Sequence, residues 1–261
     1  MTNLINLALV SSRPGLSRTR FGYCSSVASV MSCSETPIPE RIISDPSAAT
    51  TLGYSRSKWV AEQICSRANN QTPLRNRVVI FRVGQLSGDS HKGVWNTKEA
   101  WPMMLSTVKL TKTLPDLAGE SLDWLPVDTA ATALVQGMAS VPTSGDATDV
   151  LHVLNDNREP KWRQLLQWLQ KEQDFAIVGP QEWVAQLERV QERNEKEHPA
   201  FKLLDHWKKA YGDNHRNEGK TYDACPFDMQ NTKRAVPALR AVSPIDKDYF
   251  LKIWRWLDSN M

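Results

Sequence analysis

Two short apolar runs, "RVVIFRV" at residues 77–83 and "DVLHVL" at 149–154, constrain the fold of this chain more than any other feature. Each is nearly continuous rather than alternating, as in a strand covered on both faces of a parallel sheet. Helical patterns stand between and before them. "GYSRSKWVAEQI" (53–64) reads as an amphipathic helix, with Val60, Ile64, Cys65 and Ala68 as its expected inner face. "VDTAATALVQGM" (127–138) reads as another, with Asp128 as N-cap and Ala131, Leu134, Val135 and Met138 as its stripe.

Upstream, "TNLINLAL" (2–9) places Ile5, Ala8 and Leu9 at helical spacing, and Pro14 and Gly15 break the chain. "RFGYCSSVASV" (20–30) has the aromatic and β-branched character of a strand running into a turn. Residues 34–52 are rich in proline and small polar residues and read as a loop, and "TKEAWPMMLSTVKL" (97–110) reads as a helix with Pro102 in its first turn. Strand and helix alternate from Arg20 to about Leu154, the pattern of a parallel α/β sheet. Beyond Asn155 come four helical patterns and one short strand candidate, "FAIV" (175–178). The expected organisation is therefore an α/β domain over 1–155 and a mostly helical subdomain over 156–261.

Other features exclude function classes. The net charge is only +3, and the most charged stretch, Glu188 to Lys220, mixes both signs, so no nucleic-acid partner is expected. No apolar run approaches the roughly 18 residues that span a bilayer. The N-terminus lacks the basic leading region of a signal peptide, so the expectation is no membrane association and a cytoplasmic location. The four cysteines form no CxxC pair and the five histidines no HExxH, so no metal site is expected.

The chemistry centres on Tyr54 and Lys58. Four residues apart on a helix, they project from one face about a turn apart. An ammonium beside a phenol favours the phenolate and makes the phenol a useful general acid for a carbonyl oxygen receiving hydride. The same ammonium can donate to the hydroxyls of a nucleotide ribose. A helix start with a lysine on its wet face would give the same two letters. Ser25 and Ser26 change the weight of the pair, because they end a strand at the carboxyl edge where open α/β sheets bind ligands.

Together, "FGYCSSVASV", "GYSRSKWVAEQI", "VVIFRVGQLSG" and "LDWLPVDTAATAL" resemble the extended short-chain dehydrogenase/reductase superfamily. The sharper markers "FRVGQLSGDSHKGVWNTKEAWPMML" and "WLPVD" are similar to the terminal thioester reductase domains of fungal nonribosomal-peptide-synthetase-like enzymes and carboxylic acid reductases. "FDMQNTKRAVPALRAVSPID" is similar to that family's closing segment. The resemblance implies a partial doubly wound, Rossmann-like parallel sheet. It implies that Ser26 binds the substrate carbonyl, Tyr54 donates the proton, and Lys58 holds the nicotinamide ribose and tunes Tyr54. Val83, Gly84 and Gln85 would lie against the nicotinamide. The implied cofactor is NADPH, and the implied substrate is an acyl thioester on the phosphopantetheine arm of a carrier domain or synthase partner, reduced to an aldehyde or alcohol. Trp95, Trp101 and Trp124 fall where the family lines its substrate pocket; core packing is the other role open to them.

The twelve glycines contain neither GxGxxG nor GxxGxxG, the turn that takes a dinucleotide's pyrophosphate on backbone N–H groups. The expectation is a chain that starts midway through the fold, without roughly the first four strands of the doubly wound sheet and without the residue that separates NAD from NADP. Two further readings stay open: a non-catalytic module or remnant that docks a carrier or synthase partner, and a sugar-nucleotide epimerase, which "GVWNTKEAWP" and "WLPVD" disfavour.

Overall fold

The computed structural model describes residues 1–11, 19–117, 120–140, 149–193, 198–211 and 226–261. The expected break at Pro14 and Gly15 and the mixed-charge stretch beyond Tyr211 lie outside the described residues. The chain groups into two compact units, each assembled from three stretches. The first comprises Met1–Leu86, Asp123–Asn157 and Ala224–Val242; the second comprises Ser87–Leu122, Arg158–Asp223 and Ser243–Met261. The first unit thus takes a late stretch of chain as well as an early one, and the second takes 87–122 from between two runs of the first.

The first unit is built on three parallel strands, β1 (Phe21–Ser26), β2 (Val78–Val83) and β4 (Asp149–Val153), in the order β1-β2-β4. Both apolar runs form strands, and "VVIFRV" is the central one. Alternation along β2 explains why neither of its faces is polar. Val78 and Ile80 point to one layer, where they meet Ile5 and Ala8 of α1 (Thr2–Val10) and Cys65 and Ala68 of α2 (Gly53–Gln71). Val79 and Phe81 point to the other, against Ala130 and Ala133 of α5 (Val127–Ala139) and Val236 and Leu239, which follow α9 (Gln230–Ala235). Helices therefore cover both faces of a parallel sheet, the α/β class that the alternation of patterns predicts.

Two helix faces differ from expectation, and both differences have a physical cause. The inner face of α2 is Ser55, Glu62, Cys65, Ala68 and Asn69, with Ile64 partly buried beside it, and Val60 is 49% exposed. At 3.6 residues per turn, Val60 lies roughly 160° around the helix from Glu62, and it is Glu62 that the sheet requires inside. On α5 the expected Leu134 and Met138 are partly buried against the core, but the buried residues are Ala130, Ala133 and Gly137, whereas Val135 is 70% exposed and Ala131 is also exposed. The small residues face inward because the Phe81 ring occupies the space: a Cβ on Gly137 would stand 2.5 Å from it. Nor is Asp128 the N-cap, a position held by Pro126; Asp128 sits in the first turn, with its acidic side chain at the positive end of the helix.

The second unit contains α3 (Ala100–Ser106), α4 (Val108–Thr111), α6 (Trp162–Leu169), α7 (Pro180–Glu192), α8 (Leu204–Tyr211) and α10 (Lys247–Asn260). A parallel pair, β3 (Thr113–Pro115) with β5 (Ala176–Val178), completes it, so the short "FAIV" segment supplies a strand. Tryptophans fasten it. The Trp162 indole donates to the Pro115 carbonyl at 2.7 Å and its ring lies 5.1 Å from that of Trp101. Trp183 donates to Thr107 Oγ1 at 3.0 Å and packs against Trp207 at 4.8 Å. No helix among the described residues is long and apolar enough to cross a membrane.

Candidate functional site

The carboxyl ends of the three strands of the first unit come to one edge. In the parallel register Ser26 stands beside Val83, and Val83 beside Val153. The chain leaves β2 through Gly84, whose N–H donates to the Val153 carbonyl at 2.9 Å. A Cβ on Gly84 would lie 2.8 Å from Leu154 Cβ, so glycine is what lets the ends of β2 and β4 approach this closely. Gln85 follows, its carbonyl accepting the Leu125 N–H and its side-chain amide donating to Leu86 O.

Helix α2 brings Tyr54 and Lys58 to the same edge. Lys58 Nζ donates to the Cys24 carbonyl at 2.9 Å, two residues before Ser26. The ammonium also lies over two phenol rings, 5.3 Å from the centroid of Tyr23 and 5.6 Å from that of Tyr54. Desolvation pushes the Tyr23 phenol up to about 12, with Cys65, Glu62, Tyr54 and Cys24 adding to the rise, so Tyr23 serves as a neutral wall. Tyr54 is 58% exposed, and its hydroxyl has no hydrogen-bond partner among the described residues.

Ser26 ends β1 with its side-chain oxygen accepting from Ala28 N–H at 3.3 Å, which caps the 3-10 turn Val27–Ser29. That contact uses a lone pair and leaves the O–H proton available as a donor. Donors with spare capacity are therefore the Ser26 hydroxyl at the end of β1, the Lys58 ammonium with one N–H bond on Cys24, and the Tyr54 phenol whose ring lies 5.6 Å from that ammonium. A carbonyl oxygen needs such donors when it gains charge, and a ribose needs a cationic donor for its hydroxyls.

The structure places the three tryptophans differently. Trp124 belongs to the first unit and is 1% exposed. Trp95, in the second unit, is 3% exposed, with its indole donating to Glu99 Oε2 at 3.1 Å. Trp101, half-buried in the second unit, packs on Trp162. Burial is what Trp95 and Trp124 share, and a ring contact is what Trp101 shows.

Behind the edge runs a buried polar network that the sequence reading missed. The carboxylate of Glu62, one turn after Lys58, accepts from Ser25 Oγ at 2.5 Å and Ser29 Oγ at 2.7 Å. It also accepts from Arg82 Nε at 3.2 Å and Nη2 at 2.8 Å, and both side chains of this ion pair are fully buried. The rest of the guanidinium donates to the carbonyls of Pro39 and Arg41 and to His152 Nε2. With Nε2 accepting, the His152 proton sits on Nδ1 and goes to the Asp228 carbonyl at 2.7 Å. Burial, with the Arg82 cation second, pushes this imidazole down to about 3, so it is neutral. Alongside, buried Glu40 accepts from the Asn231 and Thr232 N–H groups and the Thr232 hydroxyl at the start of α9; burial pushes its carboxyl up against the lowering effect of those bonds. One signal in the sequence could have found the network: Arg82 is a charge inside an otherwise apolar strand, and such a charge requires a buried partner.

Comparison with known proteins gives the chain a family and a fold. Residues 1–134 match the NAD-binding domain family described as "Male sterility protein". An iterative polyketide synthase of Emericella nidulans is 29% identical over 78% of this chain, which covers 7% of that protein. An adenylate-forming reductase of Heterobasidion annosum is 29% identical over 92% of the chain, which covers 22% of it. Among solved structures, the reductase domain of a nonribosomal peptide synthetase from Mycobacterium tuberculosis superimposes with a TM-score of 0.74 at 20% identity, covering 98% of this chain and 62% of that one. A thiolation-reductase di-domain from an archaeal nonribosomal peptide synthetase gives a TM-score of 0.68 at 17% identity, over 99% and 52%. The chain thus spans less than a quarter of these two curated relatives and between half and two thirds of these two solved chains. It belongs to the Male sterility protein family of NAD-binding domains, with the fold of terminal reductase domains.

Proposed function

We propose that this member of the Male sterility protein family forms the nicotinamide and substrate end of an NADPH-dependent thioester reductase. The observation that supports the reading is the Lys58 ammonium, held on the Cys24 carbonyl two residues before Ser26 and lying 5.6 Å from the Tyr54 ring, at the carboxyl end of β1. Lys58 would hold the ribose, and Val83, Gly84 and Gln85 would face the nicotinamide. The bound cofactor supplies hydride to the carbonyl carbon of an acyl thioester. Ser26 donates a hydrogen bond to the carbonyl oxygen, and Tyr54 transfers its proton there as charge develops. The resulting hemithioacetal breaks its C–S bond, releasing an aldehyde and returning the thiol with a proton. Lys58 stabilises the tyrosinate left behind until solvent reprotonates it.

The phosphopantetheine thiol of a carrier domain is the expected leaving group. Both the relatives embedded in polyketide synthases and the solved thiolation-reductase neighbour favour a carrier as partner. Calorimetry of NADPH with the chain and with Lys58→Met tests the cofactor assignment. Binding by the wild type, weakened about tenfold or more in the variant as a charge-assisted hydrogen bond is lost, is the expected result. A wild type that takes up no NADPH would sink the reading for this chain.

A further inference from the structure

The proposed chemistry needs Ser26, on a strand, and Tyr54 and Lys58, on a helix, to hold fixed relative positions. Every hydrogen bond from the 54–62 stretch of α2 to this strand end falls within residues 24–29. Lys58 takes the Cys24 carbonyl at 2.9 Å, and Glu62, one turn on, takes the hydroxyls of Ser25 and Ser29 at 2.5 and 2.7 Å. The one Ser29 proton is shared between the carboxylate and the Ser26 carbonyl, each 2.7 Å away, so the carboxylate reaches residues before and after Ser26. The carboxylate cannot swing, because Arg82 meets it along one edge through Nε and Nη2 while its remaining donors reach Pro39, Arg41 and His152. All of this is fully buried at the ion pair and belongs to the first unit. An apolar contact would hold strand and helix together with less desolvation cost, but hydrogen bonds to a fixed carboxylate add direction.

We infer that Glu62, acting through Ser25 and Ser29 and oriented by Arg82, is the positioning residue of the site: it sets where Ser26 stands relative to Tyr54 and Lys58. The inference rests on the proposed reductase reading. Ser25→Ala with Ser29→Ala removes the grip and leaves the Glu62–Arg82 pair intact, and each single substitution serves where the pair together fails to fold. The direct measurement is the NMR signal of Tyr54 labelled at the ring carbon, read at one fixed pH, with Tyr54→Phe identifying it. The Lys58 ammonium lies over that ring, 5.6 Å from its centroid. Loosening the strand end is expected to free Lys58 from Cys24 and move the Tyr54 signal, while kcat falls more than the KM for NADPH rises. A variant that melts earlier yet keeps the wild-type Tyr54 signal would show Glu62 to be structural only and overturn the inference. The spectrum needs no turnover. An inactive wild type in which the signal still moves therefore fails the reductase reading alone.

Discussion

Arg82 enters a strand whose other members are Val, Ile and Phe, and each of its donors finds an acceptor in the interior. That pattern fixes the state of His152, because a proton on Nε2 would face the guanidinium nose to nose. The folded imidazole stays neutral down to about 3, whereas an unfolded histidine takes its proton near 6.5. Its contribution to stability is therefore fully present above about 6.5 and is lost progressively as pH falls from there towards 3. Urea midpoints of wild type and His152→Asn, measured across that window, should show wild type losing stability faster as pH falls. The comparison between the two is needed because Glu40, its carboxyl pushed up by burial, acts in the opposite sense as pH rises through the carboxylate range. Parallel profiles would contradict the neutral assignment.

Helix α2 carries both the exposed pair and the buried tie, and its two roles follow from one periodicity. Tyr54, Lys58 and Glu62 recur every four residues on one side of the helix, so the side that presents a phenol and an ammonium at the sheet edge also sends a carboxylate into the core. Arg82→Met should destabilise the first unit by about 3–5 kcal/mol, since Glu62 is left buried without its counter-charge. Adding Glu62→Gln should recover much of that loss in chemical denaturation, because the stranded charge is gone. Equal losses for the single and double variants would mean that packing, not charge compensation, dominates there. This element also shows what was legible. Tyr54 and Lys58 could be read from spacing, but the inner face could not, because apolar letters suggested Val60 and the structure buries Ser55, Glu62 and Asn69 instead. Hydropathy assigns polar residues outward, and only the strands opposite, with Ser25 on β1 and Arg82 on β2, reverse that for α2. On α5 the stripe was half legible: Leu134 and Met138 do pack against the core from partly buried positions, Val135 turns outward, and the bulk of Phe81 requires small residues at the fully buried places.

At the scale of the molecule, alternating apolar runs and helical patterns were enough to give a parallel sheet covered on both faces. The runs over 78–83 and 149–153 are the strands that carry it. Less legible was the traffic between the units. Segment 226–242 returns to the first unit, where Val236 and Leu239 complete the layer against Phe81, and Thr232 receives Glu40. A local pattern cannot announce such a return, because the partners lie some 150 to 190 residues apart in sequence. The same limit applies to Ser26: its strand was readable, but its neighbour Val83 is set by a register that only the paired strands define.

We propose that this strand edge reduces a thioester with NADPH, using Tyr54 as the proton donor. This is tested most directly by following NADPH consumption by the chain in the presence of an acyl thioester loaded on a phosphopantetheinylated carrier domain, beside Tyr54→Phe. Tyr54 is exposed and its hydroxyl has no partner among the described residues, so the substitution should leave the melting temperature unchanged. Wild type should show thioester-dependent NADPH oxidation with aldehyde formation, and Tyr54→Phe a rate lower by about 10²-fold or more, the scale of general acid catalysis. Equal rates for the two proteins, or NADPH that persists with wild type while the cofactor binds, would contradict it.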